Sequence, residues 1–175
     1  MKKRNWTKRA ATVIGFFALL AWCAASGSVQ LYRSPAAAER DGSKVLPFSL
    51  AQVLNYFDDA FGKAAYRGYG DTPVYHAADA TLDESVTIAV SEMEQRISVT
   101  LITNSDWGVN YLREFFEAPF FFQSESEQLY ALLNETTGTQ SVELGRFDVD
   151  AGIFEEPGWL IVTMEFRPSA HLPEG

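Results

Sequence analysis

Apolar residues fall at two periods along this chain, and the switches between them mark its elements. From Ser49 onward, Leu50, Val53, Leu54, Phe57 and Phe61 recur at steps of three and four, the spacing of one helix face. Ser49 is placed to cap that helix, Gln52 to reach back as the other half of a capping box, and Phe48 to staple onto Val53. A helix is therefore expected over about 50–64, followed by a loop through Gly68, Gly70 and Pro73. Val86, Ile88 and Val90 then alternate with polar or small neighbours. After SEMEQR the alternation resumes with Ile97, Val99 and Leu101, which reads as an antiparallel hairpin with one wet face.

The helical period returns at Trp107, Tyr111, Leu112, Phe115 and Phe116, behind a capping choice of Asn104, Ser105 or Asp106 and ahead of Pro119. Ser124 and Glu127 signal a third, shorter helix carrying Leu129, Leu132 and Leu133, with Gly138 closing the region. The last unit is a second hairpin. Its turn, Glu156-Pro157-Gly158-Trp159, has proline and glycine where a type II turn needs them. Leu160, Val162, Met164 and Phe166 form the buried row of its final strand. In the strand before, the row slips from Val142 and Leu144 to Phe147, Val149, Ala151 and Ile153, which predicts a β-bulge at Gly145 or Arg146. The order αββααββ predicts an α+β fold, a four-stranded antiparallel sheet with helices on one face, ferredoxin-like in a cyclically shifted order and preceded by one N-terminal apolar helix.

That N-terminal segment decides the compartment. Lys2, Lys3, Arg4, Lys8 and Arg9 precede an uncharged run from Ala10 to Leu31, so the basic flank is expected to stay cytoplasmic while the remainder crosses the membrane. Trp22 stands just before Cys23, where a lipoprotein peptidase needs a small residue, and this argues against lipidation. Two templates remain. Ala10 to Val29 matches the roughly 20 residues that span a bilayer, flanked by Trp6, Tyr32 and Arg33 as interfacial anchors, which implies a single-pass inner-membrane protein with a periplasmic domain. Cys23-Ala24-Ala25 equally suits signal cleavage and release into the periplasm. The organisation expected is a basic end plus anchor or signal (1–32), a linker rich in Ala, Pro and charge (33–47), one α+β domain (48–167) and an irregular tail (168–175).

Charge narrows the partners. The chain has a formal net charge of −9, and without its five leading cations the rest carries about −14, a surface that repels nucleic-acid phosphates. The lone cysteine lies in the apolar segment, so the domain has no disulfide and rests on a packed core.

Catalytic templates find little to hold. There is no Gly-x-Ser-x-Gly elbow, Ser-x-x-Lys pair, His-Glu-x-x-His helix or phosphate-binding glycine loop, and thiol chemistry has no cysteine in the domain. His76, with Asp71 and Asp79 nearby in sequence, is the one candidate general base and would support an exported hydrolase or ligand binder; His171 lies in the tail. Asp148/Asp150 and Asn104/Asp106 open like calcium loops, but Ile153 and Val109 stand where the sharp turn takes glycine, and Trp159 and Phe115 where the closing glutamate belongs. No metal or cofactor is expected.

FFEAPFFF, residues 115–122, resists that account. Phe115 and Phe116 belong to a helical stripe, whereas Phe120, Phe121 and Phe122 follow the helix-ending proline, where successive side chains point opposite ways. These three, extended by Trp159, form the candidate interaction surface for a protein partner or a second copy of the chain.

The layout, with the run RISVTLITNSDWGVNYLREFFEAPFF as a strand leading into a proline-ended helix, resembles the single-pass assembly-platform subunits of type II secretion and type IV pilus machines. Unlike them, this chain has no heptad-bearing helix between Arg33 and Ser49. The resemblance implies a ferredoxin-like periplasmic domain and a non-enzymatic role in assembly.

Overall fold

The structure, a computed structural model, describes residues 46–68, 71–134 and 137–169. Helix α1 (Leu50–Phe61) begins as its sequence demands: the Ser49 hydroxyl accepts from the Gln52 backbone N–H, and Gln52 Oε1 accepts from Ser49 N–H at 2.8 Å. Gly62, at φ 61°, turns the chain out of the helix. Strands β1 (Tyr66–Arg67), β2 (Pro73–Asp79), β3 (Glu84–Met93) and β4 (Arg96–Thr103) follow as a meander, then helices α2 (Asp106–Phe116) and α3 (Gln123–Asn134), then a second meander of β5 (Gly138–Glu143), β6 (Phe147–Glu156) and β7 (Trp159–Pro168).

All seven strands pair antiparallel in one sheet of order β1-β2-β3-β4-β7-β6-β5, six full strands and a two-residue edge. The four-stranded ferredoxin-like arrangement is thereby overturned, for two physical reasons. First, PVYHAAD is a strand, although Pro73 and two alanines mask its alternation. Tyr75 faces the core and its hydroxyl donates to the Leu54 carbonyl at 2.9 Å and to Asp58 Oδ1 at 2.8 Å, fixing β2 beneath α1. Second, the shifted row around Gly145 is a hairpin turn and not a bulge. Gly145 at φ 84° takes the first central position of a two-residue turn, as type II′ requires, and Leu144 N–H donates to the Phe147 carbonyl at 2.9 Å. One expected strand is therefore two, β5 and β6. The α3 start also moves: Glu125, and not Glu127, reaches back to the N–H of Phe122.

The single-pass helix has no counterpart in this part of the chain, for among the described residues no helix is long and apolar enough to cross a membrane. Ala10 to Val29, Cys23 and His171 lie outside the described residues.

The helices cover one face. Tyr75, Ile88, Leu101, Val162 and Ile153 lie side by side across β2, β3, β4, β7 and β6, all buried. Aromatic rings bind the helices to this floor: Phe57 stacks on Phe115 at 5.0 Å, and Phe115 and Phe48 meet Phe166 edge-on at 6.0 and 5.5 Å. Each fully buried ring contributes about 1.5–3 kcal/mol.

One turn is built against local preference. Glu94 and Gln95 join β3 to β4 with φ of 50° and 67°, the type I′ conformation that favours Asn-Gly. Replacing the pair by Asn-Gly is expected to raise unfolding free energy by about 1 kcal/mol, measured by urea denaturation.

Candidate functional site

A one-residue step along each strand moves from the helix-covered face to the other. There His76, Thr87, Ile102, Ile161 and Phe154 form a second cross-strand ladder, over which no helix lies among the described residues. Four inter-strand spacings give it a span of about 19 Å. Phe154 is 47% exposed, and Trp159, two residues along β7 from Ile161 on the same face, is 39% exposed. Gly152 makes room for the Phe154 ring: a Cβ there would come within 2.9 Å of the ring edge, so the ring lies against the sheet beside Ile161.

The other half of the same face is ionic. Arg96 pairs with Glu165 at 2.8 Å, and Arg167 bridges Asp148 at 3.1 Å and Asp150 at 3.0 Å. Burial opposes charge on Asp150, but hydrogen bonds from Ser141 and Arg167 outweigh it and hold the carboxyl below its usual range. The pH consequence has a definite sign. A depressed folded pKa stabilises above the unfolded carboxylate value near 4, and that contribution is lost as pH falls through the folded value. Asp150→Asn is expected to flatten the fall in urea midpoint below about pH 4 and to leave its pH dependence between about 5 and 7 unchanged.

Asp79, one of the carboxylates near His76 in sequence, is not its partner. The His76 Nδ1 lies 3.0 Å from the Thr87 hydroxyl, and Asp79, three residues along the same strand, projects from the opposite face. Among the described residues no three His, Cys, Asp or Glu side chains come together as metal ligands.

The four residues of the expected interaction surface separate. Phe121 is buried and Phe120 half-buried in the aromatic core, 5.3 and 5.1 Å from the Phe48 ring. Phe122 is 60% exposed with the Arg146 guanidinium 3.8 Å above its ring. Trp159 sits at the far end of β6 from that pair, about 30 Å away along the strand. The loop is pinned by Glu125, which is buried and receives Arg146 through Nε at 2.7 Å and Nη2, while Nη2 also donates to the Phe120 carbonyl at 3.0 Å. The ladder itself was beyond sequence reasoning, since it needs the register of five strands; the one local signal was Ile161 and Trp159 sharing the outward row of β7. No protein-family model, no curated protein and no solved structure matches this chain.

Proposed function

We propose that this is a non-enzymatic protein-interaction domain, delivered across a membrane by its basic and apolar leader, which works through the bare face of its sheet. The observation that carries the reading is the ladder of His76, Thr87, Ile102, Ile161 and Phe154 with Trp159 beside it. Apolar and aromatic side chains gathered on a face without a covering element are the usual mark of a contact surface. Compartment follows from Lys2 to Arg9 ahead of the apolar run, and N-terminal sequencing of the membrane-extracted protein separates a retained anchor, starting at Met1, from cleavage after Ala25.

A photoreactive residue in place of Phe154 tests the contact function in cells. It is expected to crosslink to one discrete protein, while the same residue in place of Glu94, in the distant β3–β4 turn, does not. Capture of nothing but lipid or the chain itself overturns the reading.

A further inference from the structure

We propose that β5 pairs, antiparallel and about a two-fold axis at Ser141, with the β5 of a second copy of this chain, so that two sheets continue as one. The β5–β6 turn fixes which backbone groups point outward. Leu144 N–H donates to the Phe147 carbonyl, so those two residues form a hydrogen-bonded pair across the hairpin, and alternation from them turns Val142, Gln140 and Gly138 toward β6. Thr139, Ser141 and Glu143 therefore aim their N–H and C=O groups away from the sheet. β5 ends the strand order, and among the described residues it pairs with β6 alone. Its sequence, GTQSVE, has none of the devices that protect an edge: no proline, no lysine and no bulge. The opposite edge is guarded. β1 has two residues, Pro73 opens β2, and Lys63 donates to the His76 carbonyl.

Such an edge takes an extended strand, and a second β5 fits it in one register. With Ser141 opposite Ser141 of the second copy, Thr139 lies opposite Glu143 and Glu143 opposite Thr139, so all three outward residues exchange both of their hydrogen bonds. Sliding by two residues leaves one outward residue of each copy unpaired. The same register keeps like charges apart, because Glu143, the one ionised side chain of β5, meets a threonine. α3 continues the match. It is tied by Glu125 to Arg146 in the β5–β6 turn, and Ser126 and Tyr130 turn toward α2, bonding to the Phe116 and Arg113 carbonyls. Helical spacing then leaves Ser124, Gln128 and Ala131, all exposed and uncharged, on the flank toward the β5 edge. Edge pairing leaves the His76–Phe154 ladder of both copies open, so the dimer and the contact function are separate claims.

The test uses the full chain in a non-ionic detergent, with Cys23→Ser to remove its own thiol, and sedimentation equilibrium over a dilution series. The expected mass is twice the chain's 19.5 kDa, falling to the single chain on dilution. Ser141→Cys in this background is expected to form an intermolecular disulfide on oxidation with copper phenanthroline, since Cα atoms of a hydrogen-bonded pair stand about 5.5 Å apart. Thr139→Cys and Glu143→Cys are expected to form none, because each then lies about 13 Å along the strand from its own counterpart. Thr139→Lys sets an ammonium opposite Glu143 on both sides of the axis, and Thr139→Glu a carboxylate. The first is expected to tighten the dimer about fivefold and the second to weaken it about fivefold. Thr139 is exposed, and the melting temperature of the diluted single chain is the folding control. A single chain at every concentration, equal disulfide yields at 139, 141 and 143, or a dimer indifferent to both charges at 139 overturns the inference. So does a photoreactive residue at Thr139 that in cells captures only another protein, or only a segment of its own copy.

Discussion

Replacing Arg146 with alanine is expected to lower the unfolding free energy by about 3–5 kcal/mol, a large share of the 5–15 kcal/mol that holds a domain of this size together. The loss follows from which partner stays behind. Glu125 is 3% exposed at its side chain and takes both arms of the guanidinium, so without Arg146 a carboxylate is left among apolar neighbours with only the Phe122 N–H. The same change releases the Phe120 carbonyl and the cation above the Phe122 ring, loosening the whole 120–122 loop. Arg146→Lys is expected to recover only part of the loss, because an ammonium has no second arm for the carboxylate. Urea unfolding of the three proteins provides the measurement, and an Arg146→Ala protein within about 1 kcal/mol of the parent refutes the account.

Gly108→Ala carries the second large effect, and its direction runs against helix propensity. Alanine in a helix interior gains about 1 kcal/mol over glycine. Here the new methyl would fall 2.1 Å from Thr103 Oγ1 and 2.6 Å from Thr103 Cβ. Thr103 is buried and has no other place to go: its hydroxyl donates to the Ser85 carbonyl at 3.0 Å and accepts from Ser105 N–H at 3.1 Å, tying the end of β4 to the start of α2. The clash is expected to outweigh the propensity gain and to leave a net loss of about 2 kcal/mol. Thr103→Ala in the same chain removes the hydroxyl overlap, so the double variant is expected to lose less than the two single losses added together.

What the chain disclosed in advance depended on how strongly each segment repeats its pattern. α1, with its Ser49–Gln52 box, the β3–β4 hairpin and α2 were legible because five or more apolar residues keep one period in each. β2 was not, because Ala77 and Ala78 carry no contrast between faces and Pro73 with its neighbouring glycines reads as loop, although Pro73 only opens the strand where β1 is two residues long. The β5–β6 turn was legible as a shift of the row at Gly145 but ambiguous in kind, since a bulge and a two-residue turn both displace the pattern. Four expected strands became six long ones and a short edge for these two local reasons. The candidate surface moved for a global one: Phe120 and Phe121 are claimed by a core that includes Phe48 and Phe147, far off in sequence, and the ladder exists only once five strands are in register.

The sheet order also governs how the molecule comes to be assembled. Each meander closes through neighbouring turns, so β2 through β4 and β5 through β7 zip from contacts a few residues apart. The β4–β7 seam alone joins Ile97 to Phe166 and Thr103 to Leu160, across both intervening helices. The entropy of closing so long an intervening loop opposes the seam until its contacts form, so its closure is expected to be the slow step of folding.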